Sequence, residues 1–249
     1  MTTVRDVRLG GVVASQFIDE DAARSADQPA VLMVHGWMGN RRDIVMTAAA
    51  EGAAQAGWAS YSVDMPGHGE RAGEIARLRP WEFGAELVET IQTLADQHER
   101  VAVLGCSLGS FMLLSALTQA AESRGEAAIG GPALLVAPLV DMEAHIERKM
   151  HINGITEARL NRERRINLPK GDALDREYLR YVRKHPVDPG VPVQILYGAR
   201  DEITPQGDIG RFAARVRAGV TTIDAGHSLE TPQELGWVTR WTRRMLLAG

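Results

Sequence analysis

Apolar and polar positions fall into two alternating rhythms along the chain. Short strand-like runs stand at Ala30–Val34, Ala59–Val63, Val101–Leu104, Ala133–Ala137, Val193–Tyr197 and Val220–Ile223, the third of them rich in β-branched residues. Each predicts a strand, and runs as uniformly apolar as Ala30–Val34 predict strands covered on both faces. Two earlier runs, Val4–Leu9 and Val12–Phe17, flank Gly10-Gly11 and predict a hairpin. The polar stretch from Asp19 to Gln28 predicts a loop.

Between the strands the rhythm changes to that of helices. Arg41–Ala56 is rich in alanine and is closed by Gly57. Pro80 suits a first helical position, and Phe83, Leu87, Ile91 and Leu94 recur on one face behind it. Phe111–Leu117 is apolar nearly all round, as in a helix buried on most sides. Gly207–Arg217 predicts another helix. A last one begins near Thr231, with Trp237, Val238, Trp241 and Met245 on one stripe.

Strand–helix alternation predicts an α/β fold: a mostly parallel sheet of about eight strands with helices on both faces. One stretch interrupts it. Leu139–Pro189 shows no clear strand and predicts two or three short amphipathic helices. A segment this long is expected to be a cap inserted after the sixth strand. The predicted division is therefore a core of residues 1–138 and 190–249 and a cap of residues 139–189.

Composition narrows the function. The chain has 249 residues and a net charge of -4, which gives no pull toward nucleic acid or anionic membranes. Its one cysteine, Cys106, excludes an intrachain disulfide and fits a reducing compartment. The N-terminal residues have no apolar signal region, and no run is long enough to span a membrane. A cytoplasmic location is the expectation, and a homodimer is left open.

Candidate chemistry gathers where predicted strands end. Gly105-Cys106-Ser107-Leu108-Gly109 lies between a strand and a helix, the context in which G-x-S-x-G presents a nucleophile. Ser107 is expected to stand exposed at the tip of a tight turn. A serine hydroxyl needs a base, and the base needs an acid to hold its tautomer. Among seven histidines, His227 lies in a glycine-bearing loop after the last strand. His35 and His68 sit in Gly/Pro-rich turns where a histidine braces a loop, and His145 and His151 fall in the cap. Asp201 follows the penultimate strand and is the favoured acid; Glu202 and Asp141 are the alternatives.

The order Ser107, Asp201, His227 completes a set that includes His35-Gly36-Trp37, Asp64-Met65-Pro66-Gly67-His68-Gly69, Gly198-Ala199-Arg200-Asp201 and Gly226-His227. With these residues the chain resembles the α/β-hydrolases over nearly its whole length. Within them it is most similar to the small esterase and acylglycerol-lipase branch, which includes the cinnamoyl esterases. The resemblance implies a serine ester hydrolase acting on a small acyl ester, with no metal or organic cofactor. It also implies an oxyanion hole from the backbone amides of Trp37 and Leu108. A thioesterase, an amidase or a carbon–carbon bond hydrolase would keep the same apparatus, and a catalytically silent binding protein would keep the same fold. In the cap, Met142, Ile146, Met150 and Ile152 recur near helical spacing, to line an apolar pocket with Trp37 or to seat the cap on the core. The basic run from Arg159 to Arg165 predicts a solvated helix face. Gly67-His68-Gly69-Glu70-Arg71-Ala72 formally matches a dinucleotide fingerprint, but no apolar helical period begins before Pro80. The six-residue spacing of His145 and His151 does not suit a shared metal.

Overall fold

The computed structural model describes residues 2–19, 28–124, 129–169 and 172–248. Most of the polar stretch between Asp19 and Gln28, residues 20–27, lies outside the described residues. The strands are β1 (Thr2–Leu9), β2 (Val12–Asp19), β3 (Ala30–Val34), β4 (Ala59–Val63), β5 (Val101–Cys106), β6 (Ala133–Val136), β7 (Arg165–Asn167), β8 (Ala173–Asp175), β9 (Val193–Gly198) and β10 (Gly219–Ile223). Eight of them form one sheet in the order β1-β2-β4-β3-β5-β6-β9-β10. β1 and β2 make the hairpin, with Leu9 opposite Val12 across Gly10-Gly11, and β2 runs antiparallel to β4. Every later pairing in this sheet is parallel.

The helices are α1 (Ile44–Gln55), α2 (Pro80–Ala95), α3 (Leu108–Arg124), α4 (Met142–Ile152), α5 (Glu157–Glu163), α6 (Arg176–Lys184), α7 (Gln206–Val216) and α8 (Pro232–Ala248). Strand alternation divides the core. Leu32, Val34, Val101 and Val103 pack on the side of α2, α3 and α7. Val31, Met33, Ala102 and Leu104 pack on the side of α1 and α8. A sheet buried on both faces is the arrangement for which apolar strands are required.

Local chemistry moves several expected boundaries. α1 starts at Ile44, because the Asp43 carboxylate accepts the Met46 amide at 2.9 Å and caps the helix there. α3 begins at Leu108, directly behind Ser107, and extends well past Leu117. Trp237 leaves its expected stripe: it is 41% exposed, and the Arg240 guanidinium lies 5.0 Å from its ring centre. The buried face of α8 is instead Val238, Trp241 and Leu246. Residues 69–77, read as non-helical, form a 3-10 segment with no buried residue, so no apolar period marked it.

Residues 139–189 separate β6 from β9 and contain α4, α5, β7, β8 and α6. The β7–β8 ladder corrects the expectation of no strand. It pairs buried Ile166 with buried Leu174, but each strand has three residues, too few to show a period of two. Arg183 on α6 binds Glu143 at 2.7 Å, Glu147 at 2.9 Å and Glu157 at 2.8 Å, tying α4, α5 and α6 together.

Candidate active site

The turn after β5 has two structural requirements. Ser107 itself has a positive φ of 49°, in the left-handed region that side chains other than glycine seldom adopt. The flanking glycines serve close approach. A Cβ on Gly105 would lie 2.5 Å from the Ser110 Cα, and one on Gly109 would lie 2.3 Å from the Val34 carbonyl oxygen. Side chains there would drive α3 off the sheet. The turn sits where the chain, having placed β4 on one side of β3, returns to place β5 on the other. Sites in open parallel sheets form at such switch points.

Three predicted side chains meet at this end of the sheet. Ser107 Oγ lies 2.8 Å from His227 Nε2, and His227 Nδ1 lies 2.8 Å from Asp201 Oδ2. A carboxylate only accepts, so the Nδ1–H donates to Asp201 and Nε2 is left to accept from the serine hydroxyl. Asp201 Oδ1 accepts the amides of Ile203 at 2.9 Å and Thr204 at 2.8 Å. The Tyr197 hydroxyl donates to the Thr204 carbonyl at 3.0 Å and braces that loop. Gly198 lets the loops carrying Asp201 and His227 approach, since a Cβ there would lie 2.5 Å from the Gly226 carbonyl oxygen. Arg200 pairs with Asp224, not with Asp201. Glu202 is exposed, and Asp141 caps α4 by accepting the Ala144 amide at 2.9 Å.

Ser107 is buried, at 9% exposure, and not exposed at a tip. Leu139, where the insertion begins, donates its amide to the Ser107 carbonyl at 3.1 Å, and Gly36 packs against the serine so closely that a Cβ there would lie 3.3 Å from Ser107 Cβ. The loop after β3 therefore adjoins Ser107 at Gly36. On the other side, Leu108 is the first residue of α3, so its amide has no acceptor inside the helix.

His35 braces the loops as predicted. Its Nδ1 donates to the Gly36 carbonyl at 2.7 Å and its Nε2 accepts the Met65 amide at 3.1 Å. Burial pushes its pKa down to about 4, so the ring is neutral at ordinary pH. Buried Arg41 ion-pairs with Asp64 and donates its amide to the same carboxylate at 2.7 Å, fastening the turns after β3 and β4. Cys106 is buried, and loss of solvent raises its thiol pKa far above the usual range.

A cavity of about 190 Å³ opens beside this group. Of the residues expected at an apolar pocket, Trp37, Met142 and Ile146 line this cavity and Met150 does not; Leu108 lines it as well. Met150 is buried in the core, and Ile152 is 79% exposed. At about 100° per residue Met150 lies about 80° round the helix from Met142 on one side and Ile152 about 80° on the other, so neither shares its face. The face of α4 toward the cavity is Met142, His145, Ile146 and Lys149. His145 is half-buried there, not on a solvated face, and burial lowers its pKa to about 4. The spacing of Met142, His145 and Lys149 was the available signal for that face. Among the described residues, no cluster of three or more His, Cys, Asp or Glu is placed to hold a metal, and no helix is long and apolar enough to cross a membrane.

The sequence profile of the alpha/beta hydrolase family matches residues 31–235. The chain belongs to that family. No curated protein matches it in sequence. Among solved structures, the hydrolase is similar to Est1E from Butyrivibrio proteoclasticus with ferulic acid bound, at 20% identity and a TM-score of 0.75, covering 98% of each chain. It is also similar to mouse alpha/beta hydrolase domain-containing protein 10, at 16% identity and a TM-score of 0.70 over 95% of each chain. The thioesterase domain from the curacin biosynthetic pathway superposes at 16% identity with a TM-score of 0.59 over 99% of each chain.

Proposed function

We propose that this hydrolase cleaves carboxylic esters through an acyl-enzyme on Ser107. The observation that carries the reading is the continuous hydrogen-bond chain from Ser107 Oγ through His227 to Asp201, with both links at 2.8 Å. In the first half-reaction Ser107 Oγ attacks the ester carbonyl while its proton passes to His227 Nε2. Asp201 holds the imidazole in the tautomer that can accept it and stabilises the imidazolium that forms. The backbone amides of Trp37 and Leu108 face the oxygen as it gains charge; each such donor is worth about 10²–10³ in rate. His227 then protonates the leaving alcohol. Water enters, His227 takes its proton, and attack on the acyl-enzyme returns the acid and free Ser107.

Residues 139–189 act in this reading as a cap over the core formed by residues 1–138 and 190–249, with Trp37, Met142 and Ile146 walling the substrate cavity. Ester chemistry is favoured over a silent binding fold because three convergent side chains are each in the protonation geometry that the reaction needs. A fluorophosphonate probe, with the modified residue mapped by mass spectrometry, tests it. Ser107 is the expected adduct, and Ser107→Ala is expected to lower kcat on 4-nitrophenyl acetate by about 10⁶. Labelling at another residue, or undiminished turnover in Ser107→Ala, would refute the mechanism.

A further inference from the structure

The cavity beside Ser107 is lined by more than apolar side chains. Its apolar wall includes Leu108, which follows Ser107 in the chain, Leu139, which bonds the Ser107 carbonyl, Met112 and Met142; Arg79, Lys149, Arg165, Asp172 and Asp175 also line it. His145 lines it too, within reach of the charges of Lys149, Arg148, Asp172 and His227. The cavity thus combines an apolar wall that adjoins Ser107 with a group of charged side chains.

The charged side chains are not all engaged by hydrogen bonds. Among the lining side chains three cations stand with two carboxylates, and Glu82, outside the lining, is the nearest further carboxylate to Arg79. Lys149 is directly paired with Asp172. Asp175 is occupied otherwise: its Oδ1 caps α6 by accepting the amides of Glu177 at 2.7 Å and Tyr178 at 3.2 Å. Its Oδ2 is 3.7 Å from the Arg79 guanidinium and 4.0 Å from that of Arg165, beyond hydrogen-bond distance. Glu82 is also 4.0 Å from Arg79, again too far to bond. Two guanidiniums therefore converge on one carboxylate oxygen without donating to it.

We propose that Arg79 and Arg165 receive a carboxylate at the far end of the substrate, so that the preferred esters carry that group on the acyl or the alcohol half. This rests on the ester-hydrolase reading and specifies its substrate. Neither guanidinium donates a hydrogen bond to the carboxylates beside it, and the planar fork of a guanidinium matches the two oxygens of a carboxylate. The apolar wall accommodates a short hydrocarbon spacer.

Matched pairs of substrates test the proposal: monoethyl adipate against ethyl hexanoate for the acyl half, and 6-acetoxyhexanoate against hexyl acetate for the alcohol half. In one of the pairs kcat/KM is expected to favour the anion by about tenfold, the effect of one charge-assisted contact. In the Arg79→Gln, Arg165→Gln double variant that ratio should fall to near unity. Arg162→Gln removes the same charge from a side chain outside the cavity that is paired with Glu163, and should keep the ratio. If the double variant does not fold, Arg165→Gln alone should still lower the ratio, since Arg165 is exposed. Parity or a neutral preference in the native enzyme, or a ratio that survives loss of the two arginines, overturns the proposal. If no ester is turned over, the ester reading fails. Calorimetric binding of monoethyl adipate and ethyl hexanoate then decides the point separately, and equal affinities overturn it.

Discussion

Replacing Asp201 by Asn changes one oxygen of the hydrogen-bond chain into an NH2 group. Oδ1 accepts two backbone amides, at 2.9 and 2.8 Å from Ile203 and Thr204. An asparagine must keep its oxygen there, because its NH2 would set donors against donors. The NH2 is then forced toward His227 Nδ1, now held at 2.8 Å by a carboxylate oxygen. Nδ1 can only accept from it, so the ring proton moves to Nε2 and points at Ser107 Oγ. The base is lost while the geometry stays. The expected fall in kcat is about 10⁴, a barrier increase of about 5 kcal/mol. Both amide bonds to the loop survive, so the thermal midpoint should move by no more than about 5 °C. Asp141→Asn is the matched control, since asparagine caps a helix about as well as aspartate. Steady-state kinetics on 4-nitrophenyl acetate, with circular dichroism to verify folding, is the assay. Activity within tenfold of native in folded Asp201→Asn, or a 10⁴ loss in Asp141→Asn, would refute the assignment of the acid.

The cap and the loop histidines give two further expectations. Met142→Ala and Ile146→Ala should shift the preferred ester toward longer chains in a chain-length series, because both side chains wall the cavity. Met150→Ala should leave that profile unchanged and instead cost about 2–5 kcal/mol in urea unfolding, as a buried core residue. His35 is neutral in the fold, its pKa lowered to about 4 by burial, and regains its ordinary value near 6.5 on unfolding. The unfolded chain therefore binds the extra proton. Stability from this group is complete above about pH 6.5 and is lost as pH falls toward about 4, by about 3 kcal/mol in all. Denaturant titrations across that window should show a shallower slope in His35→Gln. Some slope should remain, because the pKa values of His68 and His145 are also lowered by burial. An unchanged slope would rule out His35 as a contributor.

What could be read from sequence divides along a physical line. The strand Ala30–Val34 was legible to the residue, because a sheet covered on both faces imposes an apolar composition along the whole strand. The three residues of the hydrogen-bond chain were legible because each follows a strand in an order that one fold constrains. The burial of Ser107 was not: its cover comes from Gly36 and Leu139, tens of residues away on either side. The inner face of α4 was misjudged for a related reason. Apolar residues marked Met142 and Ile146, yet the same face carries His145 and Lys149 toward the cavity. Hydrophobic periodicity reports what is hidden from water by the protein itself. A helix face turned to an open cavity is only partly hidden, so it can carry polar and charged side chains and break that period, as His145 and Lys149 do on α4.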